Sequence, residues 1–201
     1  MPQTSTILSG AKSHISDVTG TDISFNATGT VFKITSTTTD LSVFAVRDLI
    51  TVTGTTNNNK TFTVKTVSSS TELIVEEIVT TETADGSTTT TLDHTGFVTD
   101  KTKGDGYFSQ PDGVHTVAYQ VVNLGDSTDD FFGSIKMQGS LATTPTEDDY
   151  FDISGTTYTS DQSTTIASFN FTGNFVWVRA KITTTNSSGN RSLVTSILLN
   201  N

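Results

Sequence analysis

From Ile23 onward, apolar and polar residues alternate in short runs. Ile23 and Phe25 alternate with polar neighbours, and Phe32 and Ile34 fall on one face of the next run. A period of two places alternate side chains on opposite faces of a strand, so each run predicts a half-buried β-strand. Residues 49–52 and 62–65 flank the cluster Gly54-Thr55-Thr56-Asn57-Asn58-Asn59. Gly and Asn supply the positive φ that tight connections need, so this stretch predicts a hairpin. Leu73-Ile74-Val75 predicts another strand, and Ala84-Asp85-Gly86-Ser87 a turn before the run at 88–92. Five to seven antiparallel strands are expected to close near residue 95.

Residues 1–20 hold Ile7, Ile15 and Val18 without a sustained period, which suggests an extended arm, with an irregular first strand as the other reading. Residues 99–113 collect Gly104, Gly106, Pro111 and Gly113 and read as a linker. Six further strands are expected at 114–122, 131–138, 150–153, 165–171, 175–182 and 193–199. In the fifth, Val176, Val178, Ala180 and Ile182 share one face, while Phe175, Trp177, Arg179 and Lys181 share the other. That mixed second face predicts a central strand whose outer half lies under a loop or a partner. No window carries a 3.6-residue apolar period. The expected fold is all-β: an arm (1–20), a small antiparallel domain (21–98), a linker (99–113) and a jelly-roll-like β-sandwich (114–201).

Composition changes the picture in two ways. Thr and Ser make up about a third of the 201 residues, while only 33% are hydrophobic and 16% charged. Thr is β-branched and suits a pleated surface with one wet face, so the low apolar content marks exposed sheet. Twelve Phe, four Tyr and one Trp oppose a disordered reading. The formal net charge of −10 and pI near 4.5 provide no basic stripe for nucleic acid. The chain has no Cys for a disulfide framework or a thiolate zinc site, no apolar run of membrane-spanning length, and a start, Met1-Pro2-Gln3-Thr4, unlike a signal peptide.

Candidate chemistry is sparse. His14, His94 and His115 have no partner at metal-ligand spacing. Gly104-Asp105-Gly106 lacks the following Lys-Ser/Thr of a phosphate loop. Asp126, Asp129 and Asp130 form one acidic cluster, and Glu147, Asp148 and Asp149 another. Loop carboxylates are the usual ligands of Ca²⁺, but neither spacing matches a calcium loop, and both read as solvated loops. No cofactor or metal is expected. Sugar sites in β-sandwiches use aromatics, which makes Trp177, Phe175, Tyr150 and Tyr158 the candidate contacts for a glycan or partner. The ordinary reading of Trp177 is a core residue.

Two stretches resemble known modules. Asp48-Leu49-Ile50-Thr51-Val52-Thr53-Gly54-Thr55-Thr56-Asn57, with 61–64 and 73–77, is similar to a small β repeat of tailed-bacteriophage structural proteins. That repeat usually opens with Gly-Asp, and Arg47 stands here in place of the Gly. The stretches 111–117, 133–146, 149–152 and 173–180, including Gly173-Asn174-Phe175-Val176-Trp177-Val178-Arg179-Ala180, resemble a module in virion proteins of contractile-tailed phages, including those of cyanobacteria. The resemblance implies a non-enzymatic virion component on the particle exterior, as a head decoration or a tail, neck or fibre attachment. Its implied partners are other virion proteins and further copies of itself, assembled through the arm and strand edges. A carbohydrate-binding module recognising host glycans is the alternative. Neither reading calls for nucleic acid or a membrane as partner.

Overall fold

The computed structural model describes residues 5–110, 113–125, 128–185 and 191–200. Among these, the strands in chain order are β1 (Ser5–Ser9), β2 (Val18–Gly20), β3 (Ser24–Thr28), β4 (Val31–Thr35), β5 (Asp48–Thr53), β6 (Thr61–Ser69), β7 (Glu72–Val75) and β8 (Thr90–Val98). They continue with β9 (Thr102–Lys103), β10 (Val114–Val121), β11 (Gly133–Ser140), β12 (Phe151–Asp152), β13 (Tyr158–Thr159), β14 (Ile166–Thr172), β15 (Trp177–Thr184) and β16 (Val194–Asn200). Two 3-10 turns, Asp105–Phe108 and Glu147–Asp149, are the helical elements described. The protein is all-β and antiparallel. No described helix is long and apolar enough to cross a membrane.

The chain divides into two compact units, one spanning residues 15–97 and the other joining the first fourteen residues to those from Val98 onward. In the first unit the strands run in the order β8-β5-β6-β7-β4-β3, with β2 also paired to β8. Alternation in the sequence becomes burial here. Ile50, Val52, Phe62, Val64, Leu73, Val75, Phe25 and Ile34 pack into one core with Leu41, Phe44 and Leu92. The outermost strand is closed off by chain beyond β7: Phe25 and Glu82 exchange backbone hydrogen bonds at 2.8 and 2.9 Å, and the Ala27 N–H donates to the Thr81 hydroxyl.

The second unit is a sandwich. One sheet has the order β1-β16-β10-β14, and the other is built on β11 and β15, with β12 and β13 pairing β11 and β9 pairing β15. Val117, Tyr119, Ile197 and Leu199 of the first sheet are buried, as are Ile135, Met137, Ala180 and Ile182 of the second. The Tyr119 hydroxyl donates to the Thr156 carbonyl at 2.8 Å, and the Thr156 hydroxyl accepts from the Met137 N–H. This satisfies polar groups that burial would otherwise penalise.

The organisation differs from the sequence expectation at both ends of the first unit. Residues 5–9 of the expected arm form β1, which pairs with β16 until a register shift between Ile7 and Ser9. Residues 18–20 form β2. Three- to five-residue strands carry too few alternations to show a period in the sequence. The expected linker holds β9 and a 3-10 turn, both bound to the second unit, while Pro111 and Asp112 lie outside the described residues. Its glycines serve close packing. A Cβ on Gly104 would approach the Phe175 carbonyl oxygen at 2.5 Å, and one on Gly106 the Asn174 carbonyl oxygen at 2.8 Å.

Candidate binding surface

The docked turn builds a surface that the sequence reading did not anticipate. Gly104 and Gly106 donate backbone hydrogen bonds to the Val176 and Phe175 carbonyls at 3.0 and 2.8 Å, which seats the turn on the start of β15. Tyr107 and Phe108 then project outward, 43% and 56% exposed. Their rings meet edge-on at 5.2 Å, and Tyr107 meets Trp177 at 5.1 Å. Lys101 Nζ lies 4.7 Å from the Trp177 ring centre, and Lys103 Nζ 4.1 Å from that of Tyr107. Ammonium groups over ring faces are attracted by the π quadrupole. The result is a ladder of three rings and two lysines on an acidic protein.

Of the four aromatics expected to contact a ligand, only Trp177 belongs to this ladder. It is half-buried, and its Nε1–H donates to the Thr143 carbonyl at 3.1 Å. Phe175 is buried against Phe171 and Phe151, with ring centres at 6.2 and 6.0 Å. Tyr158 is buried too, and its hydroxyl accepts from Asn123 Nδ2 at 2.9 Å and donates to the Thr164 carbonyl. Tyr150 is half-buried beneath a guanidinium, with Arg179 Cζ 3.6 Å from its ring centre.

Arg179 explains the mixed face of its strand. Its side chain is buried and donates through Nε to Gln138 Oε1 at 3.0 Å and through both terminal nitrogens to Glu147 at 2.8 and 2.7 Å. The 3-10 turn Glu147–Asp149 is thus the loop that covers this strand, held by a bidentate pair of the stronger kind. The second expected acidic cluster is therefore already engaged. Asp149 accepts the N–H and hydroxyl of Thr146, whose N–H donates first among the influences that hold the carboxyl below its usual range. In the other cluster, Asp130 is buried and accepts the Leu124 and Gly125 N–H groups at 2.6 and 3.0 Å, and Asp129 pairs with Arg191 at 3.2 Å. Asp126 lies outside the described residues.

The same device recurs in the first unit. Asp22 Oδ2 accepts the N–H groups of Thr37, Thr38 and Thr39 at 2.9, 2.6 and 3.1 Å, and its carboxylate also accepts all three hydroxyls. The Thr39 hydroxyl above all, then the Thr38 N–H, holds this carboxyl far below its ordinary value. Asp40 accepts from Ser42, and Asp85 from Ser87 and Thr88; Asp161 of the second unit accepts from Ser163 and Thr164. Glu82 accepts the Thr56 and Asn57 N–H groups beside a cleft of about 180 Å³ lined also by Thr55, Asp85 and Thr88. Asp22 and Glu82 reach segments far from them in the chain, whereas for Asp40, Asp85 and Asp161 the signal is present in the sequence as Asp two or three residues before Ser or Thr. Such side chains close loops by accepting backbone N–H groups ahead of them.

The histidines are similarly engaged. His94 Nε2 lies 3.4 Å from Asp48 Oδ1, with both side chains buried, and His115 Nε2 lies 3.5 Å from Asp105 Oδ2 while its ring stacks on Phe171. His14 Nδ1 is 3.0 Å from the Thr184 hydroxyl. One carboxyl moves in the opposite direction: Asp93 on β8 is pushed up to about 6, first by burial and then by its hydrogen bond and repulsion with Asp17, against a smaller lowering by His94.

Fold and surface together define an all-β protein with an aromatic, lysine-bearing surface ladder. No family model, curated protein or solved structure matches the chain.

Proposed function

We propose that the chain is a non-enzymatic structural component of a tailed-phage virion, placed on the particle exterior as a head decoration or a tail, neck or fibre attachment. The observation that carries this reading is the way the polar chemistry is used. Asp22, Asp85, Asp130, Asp161 and Glu147 each bind groups of the scaffold, which stiffens loops between short strands. Stiff, charge-pinned β units without Cys suit a part assembled in a reducing cytoplasm and then used outside it. The resemblance of residues 48–77 and 111–180 to phage modules points the same way. Since residues 5–9 are paired within the chain, the assembly role expected of the arm passes to other strand edges for the described residues.

Quantitative mass spectrometry of purified particles of the virus encoding the chain tests the reading. Hundreds of copies indicate head or tail-tube decoration, and a dozen or fewer a neck, baseplate or fibre position. Absence from particles removes it.

A second reading is favoured by the ladder of Tyr107, Phe108 and Trp177. Exposed rings stack on sugar faces, and Lys101 and Lys103 favour acidic saccharides. Binding to acidic glycans on an array, abolished by Tyr107→Ala in a folded protein, supports this role. A silent array removes it.

A further inference from the structure

We propose that β14 is an association edge, and that it pairs antiparallel with β14 of a second copy of this chain. The inference rests on the assembly role proposed above and names the surface that performs it.

The first observation is the ladder itself. β14 and β10 pair in an unbroken register from Val114↔Thr172 to Gln120↔Ile166. Just beyond it, the Val121 N–H donates to the Thr165 carbonyl at 3.0 Å, which fixes the phase of the hydrogen bonds. In an antiparallel pair the bonded positions alternate. Residues 165, 167, 169 and 171 therefore point their backbone groups at β10, while Ile166, Ser168, Asn170 and Thr172 point theirs outward. No described residue accepts from or donates to that outer row.

The second observation is how the other edges differ. β3 is closed by the exchange between Phe25 and Glu82, and β1 is interrupted by a register shift. β9, β12 and β13 are two residues long. Closure, brevity and irregularity are the usual ways of blunting an edge. β14 is seven residues long and regular, and it contains no charge and no Pro.

The third observation identifies the occupant. β1, β10, β14 and β16 together contain no Asp, Glu, Lys or Arg, in a chain of net charge −10. Ile7, Val114, Ile166 and Leu198 are exposed on these strands. Two copies of an acidic protein can approach closely where neither brings a carboxylate, and such an edge offers nothing to select a charged partner. The outward set is also self-complementary. With a twofold axis at Phe169, Ile166 lies opposite Thr172 and Ser168 opposite Asn170 of the second copy. Every outward N–H and C=O then finds a partner, and two four-stranded sheets join into one. An isologous contact of this kind closes as a dimer.

Sedimentation and native mass spectrometry of the full chain test the pairing. The expected species is a concentration-dependent dimer of twice 21.4 kDa. Ser168→Pro removes an outward N–H without touching a β10 hydrogen bond, and it should give a monomer with unchanged circular dichroism. Ser168→Lys, which places like charges across the joint, should raise the dissociation constant at least tenfold in a fold with no backbone change. Because the chain has no Cys, Ile166→Cys can carry a spin label cleanly, and the twofold register sets an interlabel distance of roughly 20 Å. A wild type that stays monomeric at ~100 µM overturns the proposal. So does a dimer unaffected by Ser168→Lys, or one whose labels lie far beyond that distance. Particle incorporation is read separately: a monomeric chain found in virions removes this inference alone, and a dimeric chain absent from virions removes the virion reading alone.

Discussion

The two units place their charged residues differently. In the first, β4, β5, β6, β7 and β8 each carry a charged residue, Lys33–Glu72 ties β4 to β7 at 2.9 Å, and Lys65–Glu76 ties β6 to the residue that follows β7 at 3.0 Å. In the second, a four-stranded sheet carries no such charge, while a guanidinium is buried behind the opposite sheet. Both units pin their loops with carboxylates. The difference teaches that acidity here is not a uniform coat. It closes loops in both units and is absent from the strands of one sheet.

Breaking the buried pair tests the contrast most severely. Arg179→Met leaves Glu147 without its bidentate partner and uncovers Tyr150, and it should destabilise the protein by about 3 kcal/mol. Hydrogen exchange should show the loss in residues 98–185 before 15–97. Equal loss in both units would contradict the assignment of Arg179 as a local organiser.

The matching change in the first unit is Asp22→Ala. Its carboxylate is open to solvent, so screening reduces the worth of its many hydrogen bonds to on the order of 1–2 kcal/mol. The folded pKa lies below the ordinary 3.8, so this stabilisation is complete above that value and is lost as pH falls through the lower folded value. Urea midpoints of the two proteins should differ at pH 7 and converge only in strong acid.

Asp93→Asn should have the opposite sign. The folded carboxyl holds its proton up to about 6, against an ordinary value of 3.8, so the wild type loses stability as pH rises through that interval. The variant should be more stable at pH 7 by on the order of 1 kcal/mol after screening, with no difference near pH 4. A gap that widens toward acid would refute the raised Asp93 carboxyl.

The smallest effect is expected at Arg47, whose φ of 74° lies in the left-handed region. Glycine is the residue that reaches this region without strain. Arg47→Gly should raise the melting temperature slightly, through relief of about 1 kcal/mol of backbone strain less the added chain entropy.

Much of the fold can be read from the residues themselves. The alternation at 49–52, 62–65 and 73–75 became β5, β6 and β7, with Ile50, Phe62 and Leu73 fully buried. The six strands expected after residue 113 all have counterparts, apart from shifts of a few residues at their ends. The site was less readable. Phe175 and Trp177 sit two apart and so look alike in the sequence, yet one is in the core and the other at the surface. Tyr107 and Phe108 were hidden in a segment whose glycines suggested a linker, because close packing and flexibility ask for the same residue.

The chain by itself determined that this is an all-β protein, since β-branched Thr alternating with apolar residues can bury one face only as sheet. It also determined some of the loop pins, because Asp40, Asp85 and Asp161 reach backbone groups two or three residues ahead through local geometry alone. Only the tertiary structure decided which unit residues 5–9 and 102–108 join, which aromatics meet lysines and which strands end each sheet. Those outcomes depend on hydrogen bonds and packing between segments far apart in the chain, and no local pattern encodes a partner that distant.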